Sequence, residues 1–247
     1  MKISIITCVL NNSKHIKHSL ESFQSQSYKN KEHIIIDGGS TDGTVKKVKK
    51  YKNKNQLLFS SKDQGIYHAI NKGIKQSSGK IIGILHSDDF YNYNTVIADV
   101  AKIFKNSNVD LVYGDLQYVS KEFPYKLIRK WKAGKFTEKN LYKGWMPPHP
   151  TVFIKKKLFR IIGYYNTKYK ISSDYDFLIR TLSQKSIKKK YIQKTLVKMR
   201  IGGRSNKSII NIINKSFEDL KIIKKNKIGG FITLFYKNYS KLSQFLN

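Results

Sequence analysis

The chain has a single cysteine, Cys8. It therefore has no disulfide scaffold and no multi-cysteine metal cluster, and its composition suits a reducing compartment. Acids are also scarce: 16 Asp and Glu stand against 48 Lys and Arg, for a net charge of +32. No apolar run approaches the roughly 20 residues of a membrane-spanning helix. No GxGxxG follows the first apolar run and no GxxxxGK[ST] occurs anywhere, which argues against a dinucleotide oxidoreductase and a P-loop NTPase. Internal repeats and Gly-rich, Ser-rich or acidic tails are missing, so solenoid and low-complexity classes drop out. The opening residues, MKISIITCVLNN, lack a signal-peptide cleavage pattern and read as a buried strand.

What is present is enough for a packed core. The chain has 247 residues, 40% of them hydrophobic and 13% aromatic, which allows one large domain or a domain with an appendage. The charge is uneven. Residues 177–247 hold 17 Lys and Arg against Glu218 and Asp219, a net of +15, while residues 1–176 carry +17. A basic surface of this kind implies an anionic partner.

Short apolar runs alternate with helical periodicity through the first half. Strands are predicted at 3–10, 33–37, 56–60, 81–85 and 109–113. Helices are predicted at 13–26, with Ser13 as N-cap, and at 41–51, 65–76 and 93–105. This alternation predicts an α/β fold with a mostly parallel sheet covered by helices on both faces. The second half is less regular, with strands near 151–154 and 196–199 and a helix over 173–183. Two helices follow, at 208–226 and 228–246, separated at Gly229-Gly230.

In so basic a chain the positions of the acids are informative. Asp37, Asp63, Asp88-Asp89 and Asp115 each follow a predicted strand, the edge at which open parallel sheets bind ligands. Asp42, in GGSTDGT, reads as turn chemistry. Two adjacent carboxylates after a buried strand call for a cation. A nucleotide held partly through Mg²⁺ or Mn²⁺ fits such an edge, the metal taking one or two carboxylates plus diphosphate oxygens.

Six ordered segments resemble glycosyltransferase family 2, the inverting GT-A nucleotide-sugar transferases. They are ISIITCVLNN at 3–12, IIIDGGSTDGT at 34–44, SSKDQGIYHAINKGI at 60–74, GKIIGILHSDDFY at 79–91, PPHPTVFIKKKLF at 147–159 and KISSDYDFLIRTL at 170–182. The resemblance implies a GT-A domain over 1–205, followed by a basic amphipathic helical segment over 206–247. It implies nucleobase contacts at Thr7 and Asp37 and a further nucleotide contact at Asp63. Asn71 and Lys72 would face the nucleotide or the donor sugar. Asp88 would lie toward the ribose or donor sugar and act beside Asp89, the principal metal ligand. His86 stands where the family often has its first acid, so the direct metal ligand is open between Asp88 and Asp89.

By the same resemblance Asp174 is the catalytic base, with Ser173 replacing the first acid of the family's pair. An N-terminal helix cap is its structural alternative. Asp176 reads as structural, paired with Arg180 at i+4. His149 would donate to the diphosphate or touch the acceptor, and Arg204 would reach the leaving diphosphate. Trp145 and Met146 fit either an acceptor-sugar floor or core.

The implied activity is transfer of a hexose or N-acetylhexosamine from a UDP-sugar, with Mn²⁺ or Mg²⁺, to a saccharide or lipid-linked acceptor. Bacterial capsule, O-antigen or lipo-oligosaccharide synthesis is the context. The apolar faces at 209–220 and 231–242, with interleaved lysines, suit an anionic inner leaflet. The expected location is thus cytoplasmic, peripheral on the inner face of the plasma membrane. Packing on the domain or on a sister subunit is the alternative for these helices.

Two rivals remain. A polyanion- or nucleic-acid-binding protein would use the charge and the 16 tyrosines, but no recognition motif appears, so no specific nucleic acid is expected. A nucleotidyltransferase would need a Gly/Arg/Lys-rich loop that residues 8–20 lack.

Overall fold

A computed structural model describes residues 1–202 and 209–240 of the chain. The order is β1 (Ile3–Val9), α1 (Ile16–Gln24), β2 (Lys31–Asp37), α2 (Thr44–Tyr51), β3 (Gln56–Ser60), α3 (Ile66–Gln76) and β4 (Ile81–Ile84). Then come β5 (Phe90–Tyr91), α4 (Val96–Asn106), β6 (Leu111–Val119), β7 (Leu127–Trp131), α5 (Glu138–Tyr142), β8 (Phe153–Lys155) and α6 (Phe159–Ile162). The last elements are α7 (Ser173–Leu182), β9 (Lys189–Arg200), α8 (Ile209–Lys225) and α9 (Phe231–Tyr239).

The described strands form one sheet in the order β3-β2-β1-β4-β8-β6-β9-β5, with β7 added on β6. Its first half is parallel: β1 pairs with β2 and β4, and β2 pairs with β3. The second half is mixed, because β8 runs antiparallel to both β4 and β6, while β6 and β9 are parallel. The expected α/β sheet is present, parallel through β3-β2-β1-β4 where βα units repeat and mixed beyond, where β6 and β9 are again parallel.

β1 and β2 are buried throughout, as strands covered on both faces must be. Ile3 and Ile5 pack with Phe23 and with Val96 and Val100 of α4 on one face. Ile6 and Cys8 pack with Ile70 and Ile74 of α3 and with Phe177 and Leu178 of α7 on the other. α3 lies so close to β1 that a Cβ on Gly73 would come within 2.5 Å of Ile6 Cγ2. α1 begins at Ile16 and not at Ser13, because the Ser13 backbone N–H donates to Asp42 Oδ2 at 2.9 Å and holds that turn in the preceding loop. Ile222, Ile223 and Ile228, from α8 and just beyond it, belong to the same buried cluster as β1 and α7. The core thus continues across the boundary expected at 205/206.

His33 of β2 is fully buried within a directed chain of hydrogen bonds. Gln56 Nε2 donates to His33 Nδ1 at 3.0 Å, and Thr7 Oγ1 lies 2.7 Å from His33 Nε2 and donates to the Leu85 carbonyl at 2.6 Å. These directions require the Nε2–H tautomer. A second proton would face the Gln56 amide, and burial alone pushes the ring's pKa down to about 3. Unfolded, the ring binds a proton near pH 6.5. Stability is therefore full above that pH and is lost as pH falls toward the folded value, by about 1.4 kcal/mol per unit at most. We expect the unfolding temperature to drop between pH 7 and pH 4 in a buffer series. A His33→Gln chain should show a shallower drop, and an unchanged slope would refute the assignment.

Candidate active site

The site lies over the carboxyl ends of β1, β2 and β4, where three loops are tied together. Asn11 takes a left-handed conformation, φ 50°, just after β1. Its Oδ1 accepts the Thr41 N–H at 2.9 Å and its own N–H donates to Ser40 Oγ at 2.8 Å. Asn12 donates its N–H to Thr44 Oγ1 and its side-chain amide to Ser87 Oγ at 2.8 Å, which joins the β1 loop to the HSDD turn. Asp42 accepts from Thr44 and from the Ser13 N–H, the turn role expected of it.

Acids gather at this edge. Asp37 is fully buried, its Oδ2 accepting from the N–H groups of Gly39 and Ser40 and from Ser60 Oγ, while Oδ1 has no partner. Asp63 meets His68 at 3.1 Å through Oδ1 and also leaves a buried oxygen unpartnered. Asp89 is 0% exposed and both of its carboxylate oxygens are unpartnered. Burial and the neighbouring Asp88 charge push its pKa well up. Asp88 is half-buried, and its carbonyl accepts from Arg200 Nη1. Arg200 is itself buried, its guanidinium 5.0 Å from the Phe90 ring and 4.9 Å from the Tyr125 ring.

These residues suit a divalent cation of the kind the sequence suggests. An acid with two buried, unpaired oxygens beside a second carboxylate is costly unless a positive charge arrives. Among the described residues no group of three or more His, Cys, Asp or Glu is placed to hold a metal ion. Such a cation would depend on ligand oxygens as well, as Mg²⁺ and Mn²⁺ do when held by one or two carboxylates and a diphosphate.

Asp174 is the second residue of α7, half-buried. Its Oδ1 accepts the Tyr175 N–H at 2.8 Å and lies 3.3 Å from Tyr67 Oη, while Oδ2 has no hydrogen bond to a described residue. The N-cap of α7 is Ser172, and Asp174 stands inside the first turn with one oxygen on the Tyr175 N–H. Asp174 and Asp88 both pull upward on the pKa of His86, against a larger downward effect of burial. Both acids therefore act on the His86 ring. The loop entering α7 is fixed from α8: Glu218 accepts the backbone N–H groups of Lys170, Ile171 and Ser172 at 2.8–3.0 Å. Asp176 pairs with Arg180 at 2.8 Å, as expected.

Several expected contacts fall elsewhere. The Thr7 side chain is wholly buried and its hydroxyl is engaged by His33 and Leu85, so it is a core strut and not a nucleobase contact. Asn71 directs its amide to the Tyr165 backbone, accepting the N–H and donating to the carbonyl, which clamps that loop. Lys72 donates to Ser61 at the end of β3. His149 is buried, 2.8 Å from Tyr165 Oη, with its pKa pushed down by burial to about 4. It is a neutral ring inside the wall, with Nε2 engaged by Tyr165.

Asp115 lies within β6 at a break in register and not at a strand end. It accepts from the Ala133 N–H and from Tyr191 Oη. Trp145 and Met146 pack against the main core. Arg204 lies outside the described residues. Arg200, Tyr165 and Glu218 were not anticipated. Arg200 ends a β-strand whose length the short apolar signal at 196–199 hid. Glu218 is the one acid besides Asp219 in the basic segment 177–247, which was a readable signal.

An α/β sheet with acids collected over the carboxyl ends of its parallel strands is the frame of a GT-A glycosyltransferase. Residues 4–170 match the profile described as Glycosyl transferase family 2, and the chain belongs to that family. It is 30% identical to a PGL/p-HBAD biosynthesis glycosyltransferase of Mycobacterium bovis, over 87% of this chain and 81% of the relative. It is 24% identical to a cholesterol galactosyltransferase of Borreliella burgdorferi, over 98% of this chain and 61% of the relative.

Among solved structures it is similar to S. aureus TarS 1–349 in complex with UDP-GlcNAc, with a TM-score of 0.72 at 21% identity. That match covers 92% of this chain and 66% of the TarS fragment. A mannosyltransferase of Pyrobaculum calidifontis in complex with GDP-Man and Mn²⁺ matches with a TM-score of 0.70 at 15% identity, over 96% of this chain and 69% of that one. The chain is an enzyme that transfers a glycosyl group.

Proposed function

We propose that the chain transfers a hexose or N-acetylhexosamine from a UDP-sugar to the hydroxyl of a saccharide acceptor carried on a lipid, with inversion at the anomeric carbon. The observation that carries this reading is the fully buried Asp89, both oxygens unpartnered, beside Asp88 after β4. A cation-ready acid pair and a carboxylate with one free oxygen are what a single-displacement glycosyl transfer needs.

Asp37 Oδ1, an acceptor without a donor, suits the imide N–H of uracil. Asp174 Oδ2 takes the proton of the acceptor hydroxyl as that oxygen bonds to the anomeric carbon. The bond to the diphosphate oxygen breaks on the opposite face, and UDP leaves with the electron pair. An α-linked donor then gives a β-linked product. Asp89, with Asp88, would hold Mg²⁺ or Mn²⁺, which supplies charge stabilisation to the departing diphosphate. A lipid acceptor is supported by relatives named for PGL/p-HBAD biosynthesis and for cholesterol galactosylation. Capsule, O-antigen or lipo-oligosaccharide assembly of the bacterial type is the corresponding context.

Calorimetric titration tests the donor. UDP should bind more tightly with Mn²⁺ than without it, and more tightly than GDP under the same conditions. Equal binding of UDP and GDP would remove the uridine assignment, and no nucleotide binding with either metal would remove the transferase site.

A further inference from the structure

α8 and α9 have two unlike sides. The inner side is committed to the enzyme. Glu218 holds the 170–172 backbone, Asp219 pairs with buried Lys237 at 2.5 Å, and Thr233 donates to the Tyr142 carbonyl at 2.9 Å. Lys237 also lies 3.3 Å from the Tyr175 ring centroid, next to Asp174. The helix pair is therefore fixed relative to the start of α7.

The outer side is covered by nothing among the described residues. Ile213 and Phe217 of α8 and Phe231, Ile232, Phe235 and Tyr239 of α9 are exposed, Ile232 by 73% and Phe231 by 69%. Exposed Lys221, Lys224, Lys225 and Lys227 lie in the same segment. Both carboxylates between residues 209 and 240 are turned inward, so every exposed charged side chain there is basic. Soluble monomers seldom leave so many large apolar side chains together on one face. Aromatic and aliphatic groups with lysines and no acid are the chemistry of a helix lying at the headgroup level of an anionic bilayer. A second copy of the chain is disfavoured, because a two-fold contact would bring the same lysines face to face with no carboxylate between them.

We propose that the outer face of α8 and α9 is a docking surface for an anionic phospholipid bilayer, with its aromatic side chains seated at headgroup depth. No helix among the described residues is long and apolar enough to cross a membrane, so the contact is interfacial. Through Glu218 and Lys237 the docked helices hold the start of α7, and with it Asp174, at a set height over the lipid surface. That consequence rests on the transferase reading. The surface itself does not.

Flotation of the full chain with phosphatidylcholine–phosphatidylglycerol vesicles and with pure phosphatidylcholine vesicles tests the surface without donor or turnover. Binding is expected to the anionic vesicles only. Phe231→Ser with Phe235→Ser leaves the net charge unchanged and should weaken the partition by about tenfold or more, with UDP titration unaffected. Phe235→Trp should add a fluorescence signal that shifts to the blue on vesicle binding and is quenched by brominated lipid. Anionic vesicle binding that the double variant keeps would assign the effect to overall charge and overturn the proposal. Absence of vesicle binding would also overturn it, as would a dimer in sedimentation velocity that the double variant dissolves.

Discussion

Asp174→Asn should abolish sugar transfer, lowering kcat by on the order of a thousandfold, while UDP binds as tightly as before. The size follows from what a positioned base contributes, about 10²–10⁴ in rate. Asparagine keeps the shape and an oxygen for the Tyr175 N–H, so α7 keeps its start. What is lost is the second oxygen, the one without a hydrogen bond to a described residue. The contacts proposed for the nucleotide are made by other residues, Asp37 at the end of β2 and the Asp88-Asp89 pair after β4, so the calorimetric UDP titration should be unaltered. Single-turnover measurement with a UDP-sugar and a lipid-linked acceptor separates the outcomes. A variant within about tenfold of the parent rate would reject Asp174 as the base.

How much of this site was legible follows from how local each signal is. β1 and β2 were readable because buried parallel strands are written as continuous β-branched runs. The strand read near 151–154 is β8, whereas β5 went unread because it spans two residues, too short for any period to show. Asp37, Asp63 and the Asp88-Asp89 pair could be placed because each ends an apolar run. Asp115 was misplaced because β6 runs on past it through a polar stretch to Val119. Thr7 was misjudged for a different reason: in a strand buried on both faces a polar side chain must find a partner indoors, and His33 is that partner. The Glu218 bonds span 46 to 48 residues of sequence, and no local pattern encodes a contact of that separation.

Asp89→Asn should remove the strengthening of UDP binding by Mn²⁺ and lower transfer by about a thousandfold, with weak metal-free UDP binding retained. Two buried oxygens without donors are a cost in the free enzyme, which a bound cation would relieve. The amide has the same size but supplies no negative charge. The two forms should also differ in stability without metal. The folded acid holds its proton above the ordinary value of 3.8, so the folded state binds more protons than the unfolded one. Stability contributed at this position is full below that value and declines as pH rises through the folded pKa. Asparagine carries no such decline, so in metal-free buffer its unfolding temperature should gain on the parent's as pH rises toward neutrality. Adding Mn²⁺ with UDP should raise the parent's unfolding temperature and leave the variant's nearly unchanged. Should Asp89→Asn keep the Mn²⁺ effect and Asp88→Asn lose it, the direct ligand would be the half-buried Asp88. Asp89 would then be a buried, protonated acid beside that site.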